Sequence, residues 1–234
     1  MADIGLINDA TLTAIADAIR SKNGTTTKYK PSEMPAAIQD IEGELETRQN
    51  LFRSDLGSGE AILDLYSENI TETVEYSLAQ LDSISSVDFP NLTSISNYMF
   101  NGSKNITIIK TPSATIVGTY AFTNCSSLTS VDLSNATQIG SNAFYGCTSL
   151  TKIRLPKAST IGSKAFYNCS QLKSLVLDST TVVSITSTDV LTRSAIGKGA
   201  GYIYVPADLI DSYKSHTYWS TYSARFKDIS TYSG

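Results

Sequence analysis

The feature that most constrains this chain is a period of 22 residues that runs through its central part. Two columns of apolar residues recur at this interval and keep one common register. The aromatic column is Phe100, Phe122, Phe144, Phe166, and the aliphatic column is Ile84, Ile106, Leu128, Leu150, Leu172. A fixed period of roughly 20 to 50 residues is typical of repeat proteins, in which each unit buries its apolar side only by stacking on its neighbours. The period therefore predicts a solenoid.

Each unit predicts one short strand followed by a return segment. In the unit that begins at Leu128, the apolar residues Val131 and Leu133 alternate with polar ones, which is the pattern of a half-buried strand. The stretch 136–144 then carries the apolar residues that return the chain and close the coil. Stacked units place their strands side by side, so residues 81–178 are expected to form a parallel sheet of about five short strands.

Two further columns follow each phenylalanine. The first holds residue types that tolerate positive φ and predicts a left-handed turn in every unit: Gly102, Asn124, Gly146, Asn168. The second column is expected in the core, so its thiols should be buried and free. Its members are Ser103, Cys125, Cys147, Cys169. A metal site would need the cysteines to converge, whereas a solenoid sets them in a line about 4.8 Å apart. No metal site is therefore expected.

Two surfaces are candidates for ligand binding. The outward strand positions form the first candidate face: Ser130, Asp132, Lys152, Arg154, Ser174. One of these columns alternates in sign through Asp88, Lys110, Asp132 and Arg154, and neighbouring opposite charges are expected to pair. This column serves either solubility or recognition. The alternative face is on the return side, where tyrosines offer amphipathic area: Tyr120, Tyr145, Tyr167.

The two ends differ from the repeats. Residues 1–48 predict a helical hairpin that acts as an attachment segment, with helices near 9–21 and 31–45. The apolar residues expected to mediate attachment are Leu12, Ile15, Ile19, Ile38, Ile41. Residues 49–80 are interpreted as a linker and N-terminal cap with strands at 61–66 and 73–76. Residues 179–234 are interpreted as a strand-helix cap, in which six residues cover the last repeat: Tyr213, Tyr218, Trp219, Tyr222, Phe226, Ile229.

Composition and motifs exclude several classes of function. The net charge of -4 and the pI of about 5.0 argue against nucleic acid as a partner. No apolar run is long enough to predict membrane insertion, and the N-terminus does not resemble a signal peptide. His216 is the only histidine and lies in no catalytic motif. We therefore expect neither an enzyme nor a cofactor.

The unit at 125–133, together with Ile139-Gly-Ser-Asn-Ala-Phe144, resembles the BspA-type leucine-rich repeat family. The resemblance spans about residues 81–178. The tail from Tyr202 to Pro206, with Ser212-Tyr-Lys214 and Trp219-Ser220, is similar to the ending that often follows such repeats. The resemblance implies an α+β leucine-rich-repeat solenoid. The unit that begins at Ile106 departs from the family pattern because it lacks the third leucine.

The N-terminal strings 12–20 and 31–38 resemble the openings of bacteriophage tail and other virion proteins. Together the two resemblances imply a structural protein of the virion, of tail, fibre or decoration type. The N-terminal segment would bind other virion proteins, and the repeats would face a host surface protein or glycan. A homo-oligomer located in the virion is expected. The alternative is a bacterial cell-surface adhesin whose export signal is missing.

Deleting residues 1–48 should leave the repeats folded, because the period begins well after this segment and each repeat is stabilised by its neighbours. Circular dichroism and thermal melting of the shortened chain would check the fold. Loss of cooperative melting, or unimpaired incorporation of the shortened chain into its assembly, would contradict the proposed division of roles.

Overall fold

A computed structural model of the protein describes residues 63–66, 78–80 and 84–234. The predicted helical hairpin, its attachment residues and the expected strand at 73–76 lie outside these residues. Within them the chain is a solenoid of stacked coils with parallel sheets, which confirms the architecture expected from the period. Each coil has three sides, and every side is joined to the next coil by backbone hydrogen bonds over most of its length.

The described residues contain short strands and few helices. In chain order the strands are β1 (Leu63–Tyr66), β2 (Ile84–Asp88), β3 (Ser94–Ile95), β4 (Ile108–Lys110), β5 (Ile116–Val117), β6 (Ser130–Asp132), β7 (Gln138–Ile139), β8 (Lys152–Arg154), β9 (Thr160–Ile161), β10 (Ser174–Val176), β11 (Ser184–Ile185), β12 (Tyr202–Val205) and β13 (Phe226–Asp228). Helix α1 spans Ile210–Ser215, and short 3-10 turns lie at 207–209, 219–225 and 229–231.

Each repeat contributes two strands, not the single strand that the alternation predicts. The longer strand carries the alternating residues, as expected. A second strand of two residues follows on another side of the coil, and these short strands form one continuous sheet in the order β11-β9-β7-β5-β3. The expectation of one strand per unit is wrong because the return segment is itself extended where its apolar residue, such as Ile139, points into the core.

The longer strands form two sheets rather than one. The orders are β1-β2-β4-β6 and β13-β12-β10-β8, so pairing stops between β6 and β8. Between the same two repeats, the sheet of two-residue strands stays paired, with Gln138 opposite Thr160. Val131 at the break is half-buried, whereas Ile109 and Ile153 in its column are buried. The discontinuity is therefore confined to one side of the coil.

The third side of each coil, here called the turn side, contains the aromatic column. The rings of Phe100, Phe122, Phe144 and Phe166 stack on one another with centroids 5.0 to 5.4 Å apart, and all four are fully buried. Their amides bond to the next coil, as in the 2.7 Å bond from the Phe122 N–H to the Ala143 oxygen. The Gly and Asn column has φ between 60° and 77°, which confirms the predicted left-handed turns.

The repeats continue past the predicted boundary at residue 178. Strand β11 pairs with β9, and the Phe166 amide bonds to the Val190 oxygen at 2.9 Å, so a further coil follows β10. As far as β11 this coil is two residues longer than the others, since Ile185 stands opposite Ile161. The departure from the period explains why Val183-Ser184, one period after Ile161-Gly162, interrupts the sequence pattern.

The C-terminal residues cover the last coil. Tyr213, Trp219, Tyr222 and Phe226 are buried and join the core. The Trp219 indole N–H donates to the Val183 oxygen at 2.6 Å, and the Val183 N–H donates to the Tyr213 hydroxyl at 3.0 Å. Of the six residues expected to cover this coil, Tyr218 is instead 38% exposed and Ile229 is half-buried. The ring of Tyr218 lies beside His216 at the surface and not against the core.

Replacing Gly140 with Ala should lower the free energy of unfolding by roughly 1 to 3 kcal/mol, as overpacking typically does. A Cβ at Gly140 would lie 2.7 Å from the backbone of Gly118 and Thr119 in the preceding coil, where no flexible group can give way. Urea unfolding of both proteins measures the difference. Thr186→Ala is the matched control, because Thr186 follows the column residue Ile185 in the last coil and is exposed. Equal stability of Gly140→Ala and the wild type would show that the coils can separate at this point.

Candidate binding faces of the solenoid

The outward side of the longer strands, here called the strand face, holds the first set of predicted site residues. Ser130, Lys152 and Arg154 are exposed, and Asp132 and Ser174 are half-exposed. Register aligns Lys152 with Ser174 on one side of the sheet break. Ser130 aligns with Ile108 on the other side, and the Ile108 side chain is 38% exposed. The structure therefore places these residues on one face, but it divides them between two sheets.

The charged column on this face pairs only in part. The Lys110 ammonium lies 3.3 Å from the Asp88 carboxylate, as the alternation predicts. Arg154 does not pair with Asp132. Its guanidinium binds the Asp178 carboxylate, with a distance of 2.9 Å from Nε. The expectation fails here because β6 and β8 are not paired and Asp178 follows the neighbouring strand β10.

Asp132 is bonded within its own turn. Its carboxylate accepts hydrogen bonds from the Ser134 N–H at 3.1 Å and from the Ser134 hydroxyl at 2.5 Å. This arrangement is a local turn motif that needs no partner on another coil. Lys152, on the far side of the break, is in none of the ion pairs found between described residues. The strand face thus carries a positive side chain that is not neutralised by a neighbouring carboxylate.

The strand face continues onto the C-terminal strands, which the sequence analysis did not assign to it. Tyr202 aligns with Ser174 and Tyr204 aligns with Val176. The Lys227 ammonium lies 3.7 Å from the centroid of the Tyr202 ring, which is a cation-π contact. Tyr204 packs against Tyr232 with centroids 4.9 Å apart. A basic and aromatic surface therefore extends the predicted face, and only the pairing register could have indicated it.

The tyrosines of the alternative face belong to two different columns. Tyr145 stacks on Tyr167 with centroids 5.1 Å apart and an angle of 3° between the rings. Tyr120 instead stacks on Tyr98, at 4.9 Å and 8°. Tyr98 and Tyr120 also have φ of 56° and 58°, so their backbone is in the left-handed region. The expected single tyrosine surface is therefore two separate stacks. Tyr98 was missed because the equivalent positions of the later repeats hold Asn142 and Lys164, so its column is not recognisably aromatic.

Stacking covers one face of each of these four rings. Each ring lies face to face with its partner, and the Arg193 guanidinium closes the second stack at 5.6 Å from the Tyr167 centroid. All four rings are half-buried. Stacking and partial burial reduce the ring area that is open to a ligand, which favours a role in holding the coils together over recognition.

The thiols form a ladder inside the coil. Cys125, Cys147 and Cys169 are free and fully buried, and each donates to the phenylalanine carbonyl of the preceding coil at 3.0 to 3.1 Å. Burial raises the pKa of Cys125 and of Cys169 to about 12 and raises that of Cys147 well above its ordinary value. Such thiols are poor nucleophiles because they stay protonated. This agrees with the structural role expected from their column.

Ser103 and Ser194 extend the thiol column at its two ends. Both are fully buried. The Ser103 hydroxyl donates to the Leu78 oxygen at 2.9 Å, and the Ser194 hydroxyl donates to the Leu191 oxygen at 2.6 Å. The column therefore requires a small side chain with a hydrogen-bond donor rather than a thiol as such.

Across the described part of the chain, no helix is long and apolar enough to cross a membrane.

A protein-family model described as BspA type leucine rich repeat region matches residues 71–189 in six copies, which is just over half of the chain. The match does not include residues 1–48, so their resemblance to virion proteins stays a prediction. A comparison with curated protein sequences finds no match.

Similar folds are found among solved structures. A leucine-rich repeat protein from Bacteroides ovatus is 23% identical, with a TM-score of 0.48 over 70% of this chain and 47% of that one. A leucine rich cell surface protein from Faecalibacterium prausnitzii is 23% identical, with a TM-score of 0.45 over 61% of this chain and 35% of that one. The pneumococcal vaccine antigen PcpA is 13% identical, with a TM-score of 0.36 over 73% and 40%. The chain spans less than half the length of each.

The three cysteines should resist labelling in the native protein, because burial holds the pKa of Cys125 and Cys169 near 12. A thiol reagent at about pH 8 should modify them only after urea is added. The free energy of unfolding should also depend on pH because of these thiols. In the folded protein the pKa of Cys125 is raised above its ordinary value of 9.0, so the stability that comes from keeping the thiol protonated is complete below pH 9 and is lost as the pH rises toward 12.

The control for this pH dependence is the triple variant Cys125→Ser, Cys147→Ser and Cys169→Ser, since Ser103 and Ser194 already occupy the same column. Its free energy of unfolding should fall less steeply above pH 9 than that of the wild type. Rapid labelling of the native thiols, or a disulfide in a non-reducing mass measurement, would contradict the core placement.

Proposed function

Because the family model matches just over half of its length, the chain belongs to the BspA-type leucine-rich repeat family, and we propose that it is a non-catalytic recognition protein that uses its strand face at a cell surface. Solenoids commonly bind through an extended surface that is built from equivalent positions of successive repeats. The proposal assigns that role to the strand face and gives the turn side a structural role.

The observation that carries this proposal is the exposure of the strand face in consecutive repeats. Ile108, Lys110, Ser130, Lys152 and Arg154 are exposed at positions of β4, β6 and β8 that the 22-residue period makes equivalent. Their side chains contribute little to the core, so they can be changed without cost to the fold. The exposed ion pair of Lys110 with Asp88 is worth only about 0 to 1 kcal/mol, so it would yield to a ligand with better geometry.

The turn side is less suited to recognition. Its tyrosines are committed to stacks along the solenoid axis, and those stacks add roughly 0.5 to 1.5 kcal/mol per pair to the packing of neighbouring coils. A ligand that used the stacked ring faces would have to separate the two rings first. The strand face offers its side chains without such a cost.

A role in a bacteriophage virion is the second candidate. Its support is the resemblance of the strings 12–20 and 31–38 to the openings of tail and other virion proteins. In that setting the strand face would meet the host surface, so the binding chemistry proposed here is the same. Homo-oligomerisation and attachment through Leu12, Ile15, Ile19, Ile38 and Ile41 belong to this second candidate.

The double variant Lys152→Glu and Arg154→Glu should bind at least about tenfold more weakly than the wild type, since it reverses two exposed charges at the centre of the strand face. The measurement is binding of the labelled full-length chain to an array of secreted and cell-surface glycoproteins and their released glycans. The matched variant Tyr145→Ser and Tyr167→Ser changes the turn side and should bind like the wild type.

Thermal melting of both double variants shows whether the fold survives, and only folded variants are compared. Binding that is lost in the tyrosine variant and kept in the charge variant would place the site on the turn side. Binding that is unchanged in both variants would make the repeats a spacer. Each of these results contradicts the proposal.

A further inference from the structure

On the strand face, the outward side chain of β10 is shorter than the side chains aligned with it on the two neighbouring strands. Ser174 stands in register between Lys152 on β8 and Tyr202 on β12. The Ser174 side chain is half-buried, Lys152 is exposed and Tyr202 is half-exposed. Because a serine is much shorter than lysine or tyrosine, space is left above Ser174, here called the recess, with Lys152 on one side and Tyr202 on the other.

One side of the Tyr202 ring is already occupied. The Lys227 ammonium lies 3.7 Å from the ring centroid and comes from β13, which pairs with β12 on the side away from β10. The side of Tyr202 toward β10 is bordered by the Ser174 hydroxyl in the pairing register. Tyr202 thus has a cation on one side and the strand of Ser174 on the other, and the Tyr204 ring lies at an angle to it with centroids 6.4 Å apart.

The neighbouring column closes the recess at one end. Val176 is next to Arg154 and Tyr204 in register, and it is fully buried although it points outward. Arg154 is bound to Asp178, and Tyr204 packs on Tyr232. These contacts fill the space above Val176. The recess is therefore confined to the column of Lys152, Ser174 and Tyr202.

The charge around the recess is positive, although the whole chain carries a net charge of -4. Lys152, Lys173 and Lys227 are exposed on or beside β8, β10 and β13, and none of them is in an ion pair found between described residues. The carboxylates nearest to these lysines in the sequence have other partners: Asp132 and Asp228 accept hydrogen bonds within their own turns, and Asp178 is engaged by Arg154. A ligand with a negative group is therefore favoured at this position.

We propose that this recess binds a carboxylated sugar, with the carboxylate on Lys152, the sugar ring on Tyr202 and a hydroxyl group on Ser174. The C–H groups of a sugar carry partial positive charge and pack well on the face of an aromatic ring. The columns of Lys152 and Tyr202 are two strand spacings apart, about 10 Å, which leaves room for one sugar ring between the side chains.

An acidic peptide fits this place less well than a sugar does. Peptides that bind to sheets commonly add a strand at an exposed edge, but both edges of β10 are paired, and the unpaired edge of β8 faces the adjacent strand β6. The recess is also one column wide, so an extended peptide would engage it with a single side chain. The inference rests on the proposed function, because it names the ligand class of the strand face.

The test is titration calorimetry of the full-length chain with two carboxylated probes, galacturonate oligosaccharides and sialyllactose. Two matched neutral probes are the methyl-esterified galacturonates and lactose. At least one acidic probe should bind, and its neutral partner should bind about tenfold or more weakly, because it lacks the charge that meets Lys152. The affinity should fall when salt is raised from about 0.15 M to several times that value.

Lys152→Gln and Tyr202→Ala should each weaken binding of the acidic probe by about tenfold. Tyr202→Phe should keep most of the affinity, because the ring face remains. Ser174→Trp should abolish binding by filling the recess. Lys164→Gln, an exposed lysine on the turn side, is the matched control and should change nothing. Which acidic probe binds distinguishes a plant polysaccharide from a sialylated host glycan as the source of the sugar.

Three results would overturn the inference. The first is that neither acidic probe binds, while the array still shows binding that the strand-face charge variant loses. In that case the proposed function stands and only the ligand class is wrong. The second is equal binding of an oligoglutamate peptide with the same charge, which would reduce the recess to a general anion site. The third is unchanged binding by Ser174→Trp, which would place the sugar elsewhere.

Discussion

The backbone hydrogen bonds between successive coils are the interaction on which the rest of this structure depends. They run on all three sides of the coil, through the longer strands, through the two-residue strands and through the amides of the phenylalanine turns. A coil of this length has almost no interior of its own, so its apolar residues are buried only when a second coil lies against them. The bonds fix the spacing at which that burial occurs, and in the regular repeats equivalent residues recur at a constant interval of 22.

Much of the fold follows from this constraint and could be predicted from the sequence. The positions of Phe122, Cys125 and Gly146 in their columns predict burial, a thiol ladder and positive φ, and all three are found. The second strand could not be predicted in the same way, because a strand of two residues such as Gln138-Ile139 is too short to show alternation. The break between β6 and β8 leaves no trace in the period, since Val131 is an ordinary member of its column.

The candidate site was predicted only in part, for a related reason. Ser130, Lys152 and Ser174 were found because they occupy equivalent positions in successive repeats. Tyr202 was missed because the chain makes an excursion after Ile196 and reaches β12 out of period, so only the observed register with Ser174 shows that it belongs to the same column. The pairing of Arg154 with Asp178 was missed as well, because Asp178 lies two residues beyond the equivalent position, which Val176 occupies.

The places where the period fails are therefore the places where this solenoid acquires individual features. Identical coils would present the same side chains at every level, and such a surface could not distinguish one position of a ligand from the next. The last coils differ from the others because their longer connections let aromatic residues enter the strand face at Tyr202 and Tyr204, while Tyr213 and Trp219 cover the end of the core. The same segment thus terminates the stack and supplies one wall of the recess. This coupling means that the recess can exist only at the capped end, where a small residue of the last regular strand faces a large residue of the cap.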